Sequence, residues 1–233
     1  MKSAFMNGSN SVSIKLRWVL ILAMTGVCLR AAEAPPGPPA DSTPGQGLSQ
    51  GLAAEGIWQG AVGEGFRGAA QSLSVEAGAS RGLAVFGSRQ QHDLALMSLS
   101  YGHILSQVKG QGHWYRGNWE ARVELLGGAQ FSPADKWLAG MALHLRYDFA
   151  TGTRWVPFVD VGGGVAGTGI RRPDLSSVFE FDLQGGGGVH WFLKDDVALT
   201  LEVHFLHLSD AEITAPNLGV NGVLGTVGVS WFF

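Results

Sequence analysis

The feature that most constrains this chain is a period of two that recurs along its second half and persists to the last residue. Trp119, Ala121, Val123 and Leu125 alternate with Asn118, Glu120, Arg122 and Glu124. Phe179, Phe181, Leu183, Val189 and Trp191 alternate with Glu180, Asp182, Gln184 and His190. Val197, Leu199, Leu201, Val203 and Phe205 alternate with Ala198, Thr200, Glu202 and His204, and Val223, Val227, Val229, Trp231 and Phe233 share one face. Alternation of this kind marks β-strands with one apolar face. Weaker strands fit at 71–79, 92–104, 137–149 and 155–167, with turn-like stretches such as Ala150-Thr151-Gly152 and Lys194-Asp195-Asp196 between strands. The count is eight.

Eight such strands can bury their apolar faces in a soluble barrel or sandwich, or show them to lipid. Composition favours lipid. Charged residues make up 15% of the chain, against roughly 25% in soluble domains. No run of about 18 apolar residues offers a membrane helix. The opposite faces carry rows such as His144, Arg146 and Asp148, which suit a polar lumen, and strands of about 9–11 residues or more match a bilayer crossing. The sequence therefore predicts an all-β fold: an eight-stranded antiparallel transmembrane β-barrel over residues 71–233, in the bacterial outer membrane. The aromatic end, Phe233, resembles the signal that the outer-membrane assembly machinery reads. The small-residue runs Gly162–Gly164 and Gly185–Gly188 suit close strand packing, and a barrel this small is filled by side chains, so a pore is not expected.

The N-terminus reads as a signal peptide over 1–34. Lys15 and Arg17 precede the apolar run Trp18–Leu29, then Ala32-Glu33-Ala34 offers a cleavage site. Residues 35–70 read as a flexible linker, rich in Pro and Gly to about residue 56, and an N-terminal segment. The only cysteine, Cys28, falls inside the leader, so no thiol nucleophile, disulfide or thiolate metal site is expected. A net charge of −3 without a basic block gives nucleic acid nothing to hold. Gly63-Glu64-Gly65-Phe66-Arg67-Gly68 matches a dinucleotide fingerprint but lacks the strand and helix that give it meaning. No histidine spacing suits a metal, and no cofactor is expected. His204 and His207 are three apart on a strand and point to opposite faces; His204 and Glu202 belong to the lumen.

His207 and Ser209 are two apart and continue the apolar face of Val203 and Phe205. One explanation is that the strand is leaving the membrane there. Topology suggests another. With the chain ends and short turns periplasmic, strand seven ends at the outer leaflet, and Asn221 begins the return strand after a loop at 210–220. A register in which Ser209 opposes Asn221 and 207 opposes 223 keeps both apolar faces on one side. Asn221 is then a diagonal neighbour of His207. Ser, His and Asn facing the outer leaflet make a nucleophile, a base and an orienter.

The stretch His207-Leu208-Ser209-Asp210-Ala211, followed by Pro216-Asn217-Leu218-Gly219-Val220-Asn221, resembles the lipid A 3-O-deacylase (PagL-type), or outer-membrane acyloxyacyl hydrolase, family. Looser similarity lies at Gly117-Asn118-Trp119-Glu120, Leu145-Arg146-Tyr147-Asp148 and Pro157-Phe158-Val159. The resemblance implies hydrolysis of the ester-linked acyl chain at the 3 position of lipid A, within lipopolysaccharide of the outer leaflet, without a cofactor. It implies Ser209 as nucleophile and His207 as general base. Asn221 stands where well-known members have a glutamate. Asp210 stands where the family often has an asparagine implicated at the oxyanion, and Glu212 where it has a small residue. Asp210 and Glu212 are thus accessory candidates, either of which could instead orient His207. The alternative function is a structural or binding barrel with a catalytically degenerate site.

Overall fold

The computed structural model describes residues 56–233. The leader with Cys28, and the linker up to residue 55, lie outside the described residues. Eight antiparallel strands form a closed barrel in chain order: β1 Gln71–Leu83, β2 Asp93–Ile104, β3 Gly117–Ser132, β4 Lys136–Phe149, β5 Trp155–Thr168, β6 Phe179–Phe192, β7 Val197–Ser209 and β8 Val220–Phe232. β1 pairs with β8 and leaves no open edge. The strands are 12 to 16 residues long. Several run past the alternation visible in sequence and continue as paired ladders.

The odd-numbered residues of the strands face outward, and the even-numbered ones face the lumen. Leu99, Val123, Leu125, Leu143, Val161 and Val203 are exposed on the outside, an apolar band that water would not tolerate at this extent. Trp119, Trp155, Trp191, Trp231, Tyr101 and Tyr147 gather near the rim where the chain ends, with Trp155 and Trp191 stacked at 5.1 Å between ring centroids. Such aromatic girdles sit at the lipid headgroups. The opposite, outer rim carries the loops 84–92, 133–135, 169–178 and 210–219.

The lumen is closed in three layers. At mid-height, Arg122 pairs with Glu76 and Glu202 at 3.0 Å each, and Arg146 pairs with Asp160 at 2.9 Å. His204 Nε2 lies 2.7 Å from Asp160, so His204 and Glu202 do belong to the lumen. Two guanidinium groups among these carboxylates satisfy charges that would otherwise be prohibitive to bury. Towards the outer rim, Leu94, Leu96, Leu138, Leu206, Leu208 and Leu224 join one apolar cluster. At the inner rim Trp58, Phe66, Phe192 and Phe232 form another. Phe66 stacks on Phe232 at 4.9 Å, and Trp58 Nε1 donates to the Asp195 carbonyl at 2.8 Å. The described part of the N-terminal segment, 56–70, is thus packed into the barrel end. A cavity of about 10 Å³ lined by Glu124, Gln184, Glu202 and His204 holds no more than about one water. The interior is a packed core, as expected for eight strands. Close strand approach needs glycine: a Cβ on Gly186 would lie 2.0 Å from the Val203 carbonyl oxygen.

Candidate active site

β7 and β8 pair with His207 directly opposite Asn221 and Phe205 opposite Val223. The register is two residues away from the sequence expectation, and β8 starts at Val220, so the connecting loop ends at Gly219. A shift of two leaves every side chain on its face, so hydrophobic matching cannot detect it. The loop sets it instead. Ala211 and Glu212 take left-handed φ of 56° and 67°, and Asp210 Oδ2 accepts the Thr214 N–H at 2.9 Å and the Thr214 hydroxyl. The tightened turn brings Asn221 from a diagonal to a facing position.

His207 and Ser209 face outward at the outer end of β7, as their parity requires. Ser209 Oγ lies 3.0 Å from His207 Nε2, and Asn221 Oδ1 lies 2.7 Å from His207 Nδ1. Asn221 Nδ2 donates to the Val85 carbonyl at 3.0 Å. This last bond fixes the others. A backbone carbonyl only accepts, so the amide NH₂ must face Val85, and Oδ1 must face the imidazole. Nδ1 then carries the proton, and the lone pair of Nε2 faces the serine hydroxyl. The arrangement has the polarity that a nucleophile, base and orienter need.

Asn221 is 1% exposed although it faces outward. The 84–92 loop covers it. Phe86 laps across β8 and meets Phe205 of β7 edge to face at 6.1 Å. Gly219, at φ 79°, comes so close that a Cβ there would lie 2.9 Å from His207 Cε1. The Val85 contact was not legible in the sequence, since Val85 and Asn221 are 136 residues apart.

Asp210 and Glu212 are not brought to the imidazole. Asp210 is even-numbered, is buried, and spends one carboxylate oxygen on Thr214. Glu212 is exposed on the loop. Among the described residues, the peptide N–H groups of Ala211 and Glu212 have no hydrogen-bond acceptor. A carboxylate–histidine group of Asp160, Glu202 and His204 has spacing that could hold a metal. Arg122 and Arg146 already occupy it as ionic partners, so the residues present do not favour a metal.

Fold and site together define a membrane-spanning β-barrel with a Ser–His–Asn hydrogen-bonded set on its lipid-facing exterior. The chain belongs to the lipid A 3-O-deacylase (PagL) family, whose model matches residues 95–230. Family membership and the closed eight-stranded barrel place it in the bacterial outer membrane. No curated protein sequence matches it. Similar solved structures include the outer membrane enzyme PagL, with 20% identity, 67% of this chain and 97% of that chain covered, and a TM-score of 0.47. Neisserial surface protein A (NspA) has 16% identity, 70% and 96% coverage, and a TM-score of 0.47. Ail, the attachment invasion locus protein of Yersinia pestis, has 12% identity, 72% and 100% coverage, and a TM-score of 0.44.

Proposed function

We propose that this protein hydrolyses the ester-linked acyl chain at the 3-O position of lipid A, with Ser209 as nucleophile, His207 as general base and Asn221 as orienter. The observation that carries this reading is the continuous hydrogen-bonded line from Ser209 through His207 and Asn221 to the Val85 carbonyl, on the outward face at the outer rim. Lipid A in the outer leaflet reaches that face without leaving the membrane. Family membership supports the substrate.

In this mechanism the Ser209 hydroxyl gives its proton to His207 Nε2 as its oxygen adds to the ester carbonyl. Collapse of the tetrahedral intermediate breaks the bond to the sugar oxygen, which takes the proton from His207. Water, deprotonated by the same imidazole, then frees the acyl chain from Ser209. An ionised Asp210 has no hydrogen to give an oxyanion. We assign that role to the Ala211 and Glu212 peptide N–H groups, which have no acceptor in the turn that follows Ser209. Asn221 orients the imidazole without a charge, so the imidazolium is stabilised less than it would be by a carboxylate. Proposed processing removes the leader at about residue 34, leaving the barrel and the N-terminal segment as the working protein.

A serine-directed fluorophosphonate tests the reading on protein folded in detergent. We expect covalent labelling at Ser209 that His207→Ala abolishes. Labelling elsewhere, or labelling indifferent to His207, contradicts the assignment.

A further inference from the structure

A second buried centre lies at the outer rim, beyond the Ser209 set. Asp174, in the 169–178 loop, is 0% exposed. Its carboxylate accepts the Arg89 N–H at 2.7 Å and the Gln90 N–H at 3.0 Å, and lies 2.8 Å from His92 Nε2. Ser88 Oγ is 3.4 Å away. The other nitrogen of His92 is braced by Gln130 Oε1 at 2.7 Å. The Asp174 backbone carbonyl accepts the Leu218 N–H at 2.7 Å. One residue therefore grips two loops.

Both loops lead to the site. In the first, the Ser88 N–H closes on the Val85 carbonyl at 3.1 Å, the same oxygen that receives Asn221 Nδ2. Phe86 and Gly87, at φ 55° and 101°, are the two central residues of that turn. A bulky residue in the left-handed region is strained and persists only where its surroundings hold it. In the second loop, Leu218 immediately precedes Gly219, which packs on His207, and Asn221 follows two residues later.

We infer that Asp174 is a positioning residue for the Ser209 site. By holding residues 88–92, it keeps the Val85 carbonyl on Asn221 and so fixes the tautomer of His207. The inference rests on the proposed roles of Ser209 and His207. A carboxylate suits the position because it offers several acceptor sites to converging donors, where an amide offers one oxygen. Asp174 touches none of the reacting atoms; its hold on residues 88–92 reaches His207 through Val85 and Asn221, and its hold on Leu218 through Gly219.

The test uses the full protein folded in detergent, with purified lipid A as substrate. Asp174→Ala and Asp174→Asn are compared alone and in an Asn221→Ala background. Alone, each lowers kcat by roughly 10- to 100-fold, the scale of a small misplacement of a catalytic group, and leaves KM within about two-fold. In the Asn221→Ala background the further loss is smaller than in the wild-type background, because the path through Val85 is already broken. Nitrogen-15 NMR of the His207 imidazole gives a readout without turnover: Nδ1 is protonated in the wild type, and Asp174→Asn moves the ring towards a mixture of tautomers. An unchanged kcat in a folded variant overturns the inference. So does a loss repeated in full in the Asn221→Ala background, or an unshifted imidazole. If Asp174→Ala does not fold, the isosteric Asp174→Asn and its NMR signal decide. If Ser209→Ala keeps wild-type turnover, the proposed function fails, and the tautomer signal alone still judges the role of Asp174.

Discussion

The Asn221 amide oxygen lies 2.7 Å from His207 Nδ1 because the two residues face each other across β7 and β8. The other half of that amide is committed to the Val85 carbonyl. The pocket therefore accepts an amide on chemical grounds. The sequence comparison alone suggests that Asn221→Glu would raise activity by restoring the usual acid. The bond to Val85 leads us to predict the opposite.

A glutamate at 221 has no N–H to give, so the Val85 carbonyl loses its donor, and the extra methylene carries an acceptor-only group into the same covered space. The mismatch costs about 1–3 kcal/mol, which corresponds to roughly 10- to 100-fold in turnover if it falls on the catalytic arrangement. Asn221→Glu and Asn221→Ala should both lower kcat for lipid A deacylation. A gain in the glutamate variant would show that the 84–92 loop yields to the charge.

Gly219→Ala places a methyl group where His207 Cε1 allows only 2.9 Å, at a φ of 79°. Strain of about 1 kcal/mol or more follows from the backbone alone. The expected result is a folded barrel with roughly ten-fold lower kcat. Folding is read from the mobility of unheated protein in gel electrophoresis and turnover from released fatty acid. Unchanged turnover would place the ring contact outside the catalytic geometry.

Asp210 separates a structural role from a chemical one. As a turn cap on Thr214 it should cost about 0.5–2 kcal/mol of stability when replaced by Ala, on the scale of other side-chain caps. Asp210→Asn keeps an acceptor and should turn over lipid A almost as the wild type does. Loss of turnover in the Asn variant, with stability intact, would give the carboxylate a part in the chemistry.

The lumen network makes a prediction about stability alone. Glu202 is shared by Arg122 and Arg146. Glu202→Ala removes the carboxylate that both buried guanidinium groups share, leaving Arg122 to Glu76 and Arg146 to Asp160, and should destabilise the barrel by about 1–3 kcal/mol, measured by urea titration of tryptophan fluorescence. A cost under about 1 kcal/mol would mean that water replaces the carboxylate.

These contrasts show what the sequence carries and what it lacks. Alternation is a local signal, so it revealed the strands, the polar face of His144, Arg146 and Asp148, and the outward parity of His207 and Ser209. Parity survives a shift of two, so the β7–β8 register was not legible, and with it the direct pairing of Asn221. Asp210 resembled a site residue by its neighbours in the chain, while its even parity and the Thr214 turn direct it elsewhere. Val85 and Asp174 carry no motif. Their parts arise from loops that meet only after the barrel closes, 136 residues from Asn221 in the one case and 82 to 85 residues from the 89–92 backbone and ring in the other.

The central claim is that Ser209 attacks an acyl ester of lipid A. The most direct measurement is mass spectrometry of lipid A from cells expressing the wild type or Ser209→Ala at equal levels of folded barrel. The account predicts loss of one ester-linked acyl chain in the wild type and intact lipid A in the variant. Intact lipid A with both proteins, or equal deacylation with both, would contradict it.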